Sequence, residues 1–355
     1  MGCVLAGIRS ARPPYTYHRT TGGSRSFGLS SVIIESKNAR RLLRSRSVLT
    51  AIRSRAYATE ARERVRIVEV GPRDGLQNES VVISPAVKAE LINRLMEAGT
   101  DIIESDSLVS AKWVLQMAGT AEVTSMRRRK GLYYPVLVPN LKGLEVLLDH
   151  LSEQPASEVP YTDGIAVFTA ATDTFAKANT NCTVTESLQR MEAVTKRATE
   201  GGLRVRGYMR LVINRPYSGK VDPVKVKEVT QVLLDMGCYE VSLGTRMGVS
   251  NVLASLEHGL HTFDSSVGGL GGCPSSPGAT GNVAIEDVLY ALRGSKYATP
   301  GDLDAIAEVG TWISKALNRT NSSRVGKALE ARRAREQLER ERERDGRLAE
   351  NISAK

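Results

Sequence analysis

Short runs of β-forming residues alternate with amphipathic helical stretches through most of this 355-residue chain, and that alternation admits few folds. The runs are Val65–Val70, Asp101–Ser105, Tyr133–Val138, Gly164–Phe168, Arg204–Met209, Tyr239–Leu243 and Phe263–Val267. Between them, Pro85–Ala98 reads as a helix with Ser84 as its N-cap and Gly99 as its stop. Thr185–Thr199 and Pro223–Met236 read the same way, the second ending at Gly237. A repeat of this kind makes a parallel sheet wrapped by helices, and the length suits one α/β barrel of the TIM type with extensions. A closed barrel of that type needs eight strands of matched tilt and stagger, and the sequence offers seven. The expected outcome is a smaller ring or a gap, with Tyr239–Leu243 and Phe263–Val267 as adjacent, poorly paired strands.

The first run feeds directly into Gly71-Pro72-Arg73-Asp74-Gly75-Leu76-Gln77-Asn78. Gly71-Pro72 stops the strand, so the polar cluster sits at a strand's C-terminal end, where α/β folds gather their chemistry. Asp74 offers hard oxygen for a divalent cation, and Arg73 a fork for an oxyanion beside it. The same residues also read as a polar turn that closes a strand. A second cluster, Gly268-Gly269-Leu270-Gly271-Gly272-Cys273-Pro274, has the glycine density of a mobile lid around one cysteine. Its plainer reading is a flexible loop with an incidental thiol.

The formal net charge of +10 is not spread over the chain. Up to Tyr57 there are eleven Lys and Arg against Glu35 alone, and the remainder is neutral, with 38 of each sign. The basicity therefore gives no reason to expect a nucleic-acid or membrane partner for the barrel. The Arg- and Ser-rich, acid-poor composition of residues 1–57 is that of a mitochondrial transit peptide, with Arg55-Ala56-Tyr57-Ala58 as the processing site. A disordered basic arm is the alternative. No stretch approaches the eighteen or so apolar residues that span a bilayer. The cysteines (Cys3, Cys182, Cys238, Cys273) show no paired spacing and suit a reducing compartment, here the mitochondrial matrix. Residues 326–355 mix charges of both signs with few apolar side chains, which predicts a solvated, partly frayed helix after a barrel over residues 58–325.

Several long words of this sequence resemble the 3-hydroxy-3-methylglutaryl-CoA lyase family. They are GPRDGLQNE from Gly71, YYPVLVPNLKG from Tyr133, VRGYM from Val205, MGCYEVSLG from Met236 and DSSVGGLGGCPSSPGATGN from Asp264. The resemblance runs from about Val65 to about Val325 and implies a TIM-type barrel and a retro-Claisen cleavage of an acyl-CoA. It implies Asp74 and Asn282 as ligands of Mg²⁺ or Mn²⁺, and Arg73 as the group that stabilises the enolate oxygen. Glu104 and Gln77 would share the same polar mouth, and Cys273 would take part in a late proton transfer. Arg206 and Tyr208 would line the interior near the substrate; they read equally well as a buried structural pair. A homo-oligomer is compatible with the resemblance.

Three departures from the family pattern stand out. Gly248-Val249-Ser250 runs straight into Asn251–Gly259, so about thirty residues, one βα unit carrying a His-x-His metal motif, are absent. The family's Gly-Asp reads Gly244-Thr245, and its Ser-Cys motif reads Arg210-Leu211-Val212-Ile213-Asn214-Arg215. With two oxygen ligands left, the cation would be held weakly. Three functions stay open: a mitochondrial lyase of leucine breakdown and ketone-body formation, a non-catalytic relative or isoform that binds acyl-CoA or an active subunit, and a Claisen-type condensing synthase. The GGLGGCP loop favours a lyase over a synthase, and the missing histidines favour the non-catalytic relative.

Overall fold

All seven runs are strands in a computed structural model that describes residues 4–9, 62–77, 79, 83–108, 128–154, 159–210, 214–215, 219–245, 248–271 and 281–353. In chain order the main sheet contains β1 (Val4–Arg9), β2 (Arg66–Glu69), β3 (Ile102–Ile103), β4 (Asp106–Ser107) and β5 (Val136–Leu137). It continues through β6 (Gly164–Ala170), β7 (Arg204–Arg210), β8 (Glu240–Thr245) and β9 (Thr262–Ser265). The spatial order is β3-β2-β9-β1-β8-β7-β6-β5-β4. Because β3 and β4 are successive pieces of one run, this order begins and ends on the same stretch of chain. That stretch bonds to both neighbours: Glu104 N–H donates to Glu69 C=O at 2.9 Å, and Ser105 N–H to Pro135 C=O at 3.1 Å. The strands thus return on themselves as a ring of eight.

The expected contact between the last two runs is absent. β8 and β9 are separated by β1, which lies antiparallel to both, from Val4 opposite Thr245 to Arg9 opposite Glu240, and with Leu5, Ala6 and Gly7 opposite Asp264, Phe263 and Thr262. Every other neighbouring pair in the ring is parallel. The physical reason for the correction is the demand of two sheet edges for partners: a strand from a distant part of the chain satisfies both rows of backbone groups. This strand lies within the segment read as a transit peptide.

Helices α1 (Pro85–Glu97), α2 (Leu141–Glu153), α3 (Asp173–Thr180), α4 (Val184–Glu200), α5 (Pro223–Asp235) and α6 (Gly248–Glu257) alternate with the strands. They begin where their caps dictate. Ser84 Oγ accepts from Val87 N–H, and Thr183 and Glu186 form a reciprocal capping box. Gly99 and Gly237 end α1 and α5 at φ of 88° and 105°, values that favour glycine. After β9 come α7 (Ile285–Leu292), α8 (Leu303–Ala316) and α9 (Arg324–Ser353). The start of α9 is anchored where Val325 N–H and Ser323 Oγ meet Asp287 Oδ1 at 2.9 and 2.7 Å. Arg333 and Glu330 pair with Asp304 and Lys315 of α8, and residues 334–345 are exposed and carry i,i+4 pairs such as Arg335–Glu339, as the charge pattern predicts.

The apolar core lies between sheet and helices in two blocks. One contains Ile67, Leu91, Phe263, Ile306 and Ile313; the other contains Leu144, Ile165, Val205, Leu233 and Val241. Side chains alternate along β7, so Val205 and Met209 face this core while Arg206 and Tyr208 take the opposite face, the ring interior. That period of two positions the site.

Candidate active site

The chain leaves β2 through one wide helical turn, Gly71–Gly75, in which Gly75 N–H donates to Val70 C=O at 3.1 Å. Close approach explains the two glycines. A Cβ at Gly71 would lie 2.5 Å from Glu69 Oε1, and one at Gly75 2.8 Å from Leu270 Cβ. The turn rolls Arg73 and Asp74 inward until both are buried, with Arg73 only 3% exposed.

Arg73 is fixed on two sides. Its Nε donates to Glu104 Oε1, and its Nη1 to Asp74 Oδ1 at 2.7 Å. Glu104 Oε2 accepts from the Tyr208 hydroxyl, which in turn accepts from Arg206 Nη1 at 2.8 Å. Arg206 continues the chain to Glu240 at 2.7 Å, to Ser242 and to Asp264. The result is one buried polar network that runs across the ring from β2 to β7, β8 and β9.

Burial opposes charge on both arginines, but the acids beside them prevail and hold each guanidinium above its ordinary range: Glu104 and Asp74 for Arg73, Asp264 and Glu240 for Arg206. Burial raises Tyr208 well above the usual phenol range, so it stays a hydrogen-bond donor to Glu104. Burial also pushes Asp264 up to about 6 against the pull of Arg206. Its Oδ2 has no partner among the described residues.

Asn282 closes the opposite side of the mouth. Its Nδ2 donates to Asp74 Oδ2 at 3.0 Å and to Leu270 C=O at 3.1 Å. The flanking glycines allow this approach, because a Cβ at Gly271 would sit 2.6 Å from Asn282 Nδ2 and one at Gly281 2.4 Å from Gly269 O. The stem of this segment is latched by two buried acids. Glu69 accepts from Gly71 N–H at 2.6 Å and Val267 N–H at 2.9 Å, while Glu286 accepts from Gly268 N–H at 2.9 Å. Burial pushes both carboxyls up to about 8.

Of the residues singled out by sequence, Arg73, Asp74, Glu104, Arg206, Tyr208 and Asn282 converge. Gln77 follows one turn later, half-buried, with its Oε1 lacking a partner among the described residues. Cys273 lies outside the described residues. Sequence reasoning missed Glu240, Ser242, Asp264, Glu69 and Glu286. For two of these the signal is register: β8 pairs with β7 so that Glu240 lies opposite Arg206 and Ser242 opposite Tyr208.

An α/β ring that gathers an arginine, two acids and an amide at its C-terminal mouth has the architecture of a barrel enzyme. The HMGL-like family profile matches residues 64–251, and the chain belongs to that family. It is 42% identical to mitochondrial hydroxymethylglutaryl-CoA lyase of Macaca fascicularis over 300 positions, covering 75% of this chain and 89% of that protein. It is 44% identical to the 3-hydroxy-3-isohexenylglutaryl-CoA/hydroxy-methylglutaryl-CoA lyase of Pseudomonas aeruginosa over 304, covering 76% and 98%. A crystal structure of hydroxymethylglutaryl-CoA lyase from Pseudomonas aeruginosa superposes with a TM-score of 0.70 at 42% identity, covering 77% of this chain and 99% of that one. An HMG-CoA lyase from Acinetobacter baumannii in complex with coenzyme A and 3-methylmalate gives 0.67 at 27%, covering 74% and 94%. Since 75% of 355 residues is about 266, about 34 of the 300 positions shared with the Macaca protein have no residue here, the size of one βα unit.

Proposed function

We propose that this chain is a carbon–carbon lyase that cleaves 3-hydroxy-3-methylglutaryl-CoA to acetyl-CoA and acetoacetate, at a rate lowered by the missing βα unit. Arg73 carries the reading: it is buried in the mouth, locked between Glu104 and Asp74, and Asp74 is held by Asn282 on its far side. In the retro-Claisen step a base takes the C3 hydroxyl proton, and the C2–C3 electron pair moves into the enolate of acetyl-CoA. That enolate is then protonated at C2. Arg73 offsets the negative charge that develops on its oxygen. Glu104 and Tyr208 keep the guanidinium aimed, and Cys273 would deliver the last proton.

Asp74 and Asn282 would hold a divalent cation, Mg²⁺ or Mn²⁺, whose chemistry is to clamp and polarise substrate oxygens. The charge balance suits it. Arg73 and Arg206 face four acids, Asp74, Glu104, Glu240 and Asp264, so the network carries two excess negative charges. The ligand number suits it less well, because no group of three His, Cys, Asp or Glu able to hold a metal occurs among the described residues. Asn282 would also turn its amide oxygen toward Asp74. Binding is therefore weak, and loss of the histidine base lowers turnover about 10²- to 10⁴-fold.

The role in leucine breakdown and ketone-body formation, and the mitochondrial matrix as its place, belong to the same proposal. Relatives of both mitochondrial and cytoplasmic name occur, so the matrix location rests on the composition of residues 1–57. Purified full-length chain assayed for acetoacetate release in saturating Mn²⁺ tests the activity. Slow release that disappears in Arg73→Ala is the expected result; release no greater than that of the variant overturns it. The lack of a three-ligand cluster favours a second reading, a relative that binds acyl-CoA, or an active subunit, without turnover. Retained binding of a CoA thioester in the absence of release would select it.

A further inference from the structure

The space between β8 and β9 is one strand wide. Neighbouring strands lie about 4.8 Å apart, so two strands that flank a third stand about twice that distance apart and cannot bond to each other. Six register pairs on the β8 side and three on the β9 side show that Val4–Arg9 fills this space along both edges. Its attachment differs from that of every other ring strand. The other links between ring neighbours run parallel, whereas β1 is antiparallel to both neighbours and reaches β2 only through residues 10–65. α6 leads from β8 to β9 and packs against β1. The slot is thus formed by the barrel itself, and its occupant comes from a part of the chain remote from both flanking strands.

We infer that the slot between β8 and β9 is a strand-binding site whose ligand is the chain's own N-terminal segment, Val4–Arg9, so that removal of this segment and completion of the barrel exclude each other. The recognition is β-augmentation: backbone groups of an extended peptide pair with two open edges, and register is set by the residues that flank them. The ligand class is a short extended segment of small and aliphatic residues ending in a base, Val-Leu-Ala-Gly-Ile-Arg. It contains no His, Asp or Glu, so it restores the sheet and adds no metal ligand. The basic segment around it has the composition of a cleaved import signal. A chain cleaved after Tyr57 loses its eighth strand, and a folded chain holds Val4–Arg9 in the wall of the ring.

Cross-linking in the intact protein tests this directly. In a Cys3→Ser background, Leu5→Cys with Gly244→Cys places two thiols at a register pair. Leu5→Cys with Val241→Cys separates them by three residues along β8, about 10 Å, beyond disulfide reach. Near-complete oxidation of the first pair with none of the second is expected. Equal reaction of both, or reaction of neither, overturns the proposal. Deletion of residues 1–10 adds a second readout: amide exchange in Glu240–Thr245 and Thr262–Ser265 accelerates at least a hundredfold. A synthetic peptide of residues 2–11 with Cys3→Ser, supplied at about millimolar concentration to match a tethered segment, restores protection and a scrambled peptide does not. Unchanged protection in the deletion overturns the proposal. Should that deletion fail to fold, the cross-linking result decides alone.

Discussion

The arc from β5 to β7 and the junction β8–β1–β9 satisfy the same backbone hydrogen bonds by different means. In the arc, parallel strands are stitched by helices, and β7 brings chemistry into the ring along with its backbone, in Arg206 and Tyr208. At the junction, an antiparallel strand borrowed from the N-terminal segment closes the sheet and supplies no acid or histidine. The difference is one of specificity. A sheet edge accepts any strand of suitable length and twist, because the peptide group is the same in every residue. A metal site or a general base accepts only particular side chains in fixed positions. On the proposed function, loss of one βα unit is thus repaired in the fold and left unrepaired in the site.

Substitutions can press on either side of that contrast. Arg73→Ala bears most heavily on the chemistry. On the proposed function it removes the charge that would stabilise the enolate, and it leaves Glu104 buried without its cation. Acetoacetate release is expected to fall a further 10²- to 10³-fold, by about 2.7–4 kcal/mol in the barrier. Retained release would place the reacting oxygen elsewhere.

Arg206→Met bears on the ring itself. It leaves Glu240 and Asp264 buried without their shared partner, and removing one member of a buried ionic group costs about 3–5 kcal/mol. Urea unfolding should show that loss. An unchanged midpoint would mean that the network is not closed in solution.

A smaller, pH-dependent effect follows from the acids that latch the glycine-rich stem. Glu69 and Glu286 have folded-state pKa values raised to about 8 by burial. The folded protein therefore binds protons more tightly than the unfolded chain. Stability from this source is full below the ordinary carboxylate range near 4.5 and is lost as pH rises through about 8. Glu69→Gln removes one of the two titrations, so the wild type should lose stability relative to the variant between pH 5 and pH 9. Parallel melting curves across that range would refute the assignment. Smallest of all, Arg335→Ala on exposed α9 should leave the melting temperature unchanged, because its pair with Glu339 is solvent-screened.

Much of this architecture was legible in the sequence, for identifiable reasons. Seven strands announce themselves by β-branched runs bounded by Gly and Pro, and α1 and α5 by caps and terminal glycines, all of which are local signals. Arg73 and Asp74 were legible because a strand end followed by Gly-Pro fixes where a polar cluster must lie. β1 was not legible. Six residues with Ala-Gly at their centre, inside an arginine-rich segment, carry no local mark of a partner more than two hundred residues away. Glu240 and Asp264 escaped for a related reason. Whether an acid on a strand faces the core or the ring interior depends on register with the neighbouring strands, β7 for Glu240 and β1 and β2 for Asp264, and register is set by the assembled sheet.

The contrast between a repaired fold and an unrepaired site is tested most directly by native-state amide exchange of the intact chain, read strand by strand. β1 bonded along both edges predicts that Glu240–Thr245 and Thr262–Ser265 exchange as slowly as Gly164–Ala170 and Arg204–Arg210 in the continuous arc. Exchange of the β8 and β9 amides orders of magnitude faster than those of β6 and β7 would show an open ring and contradict the account.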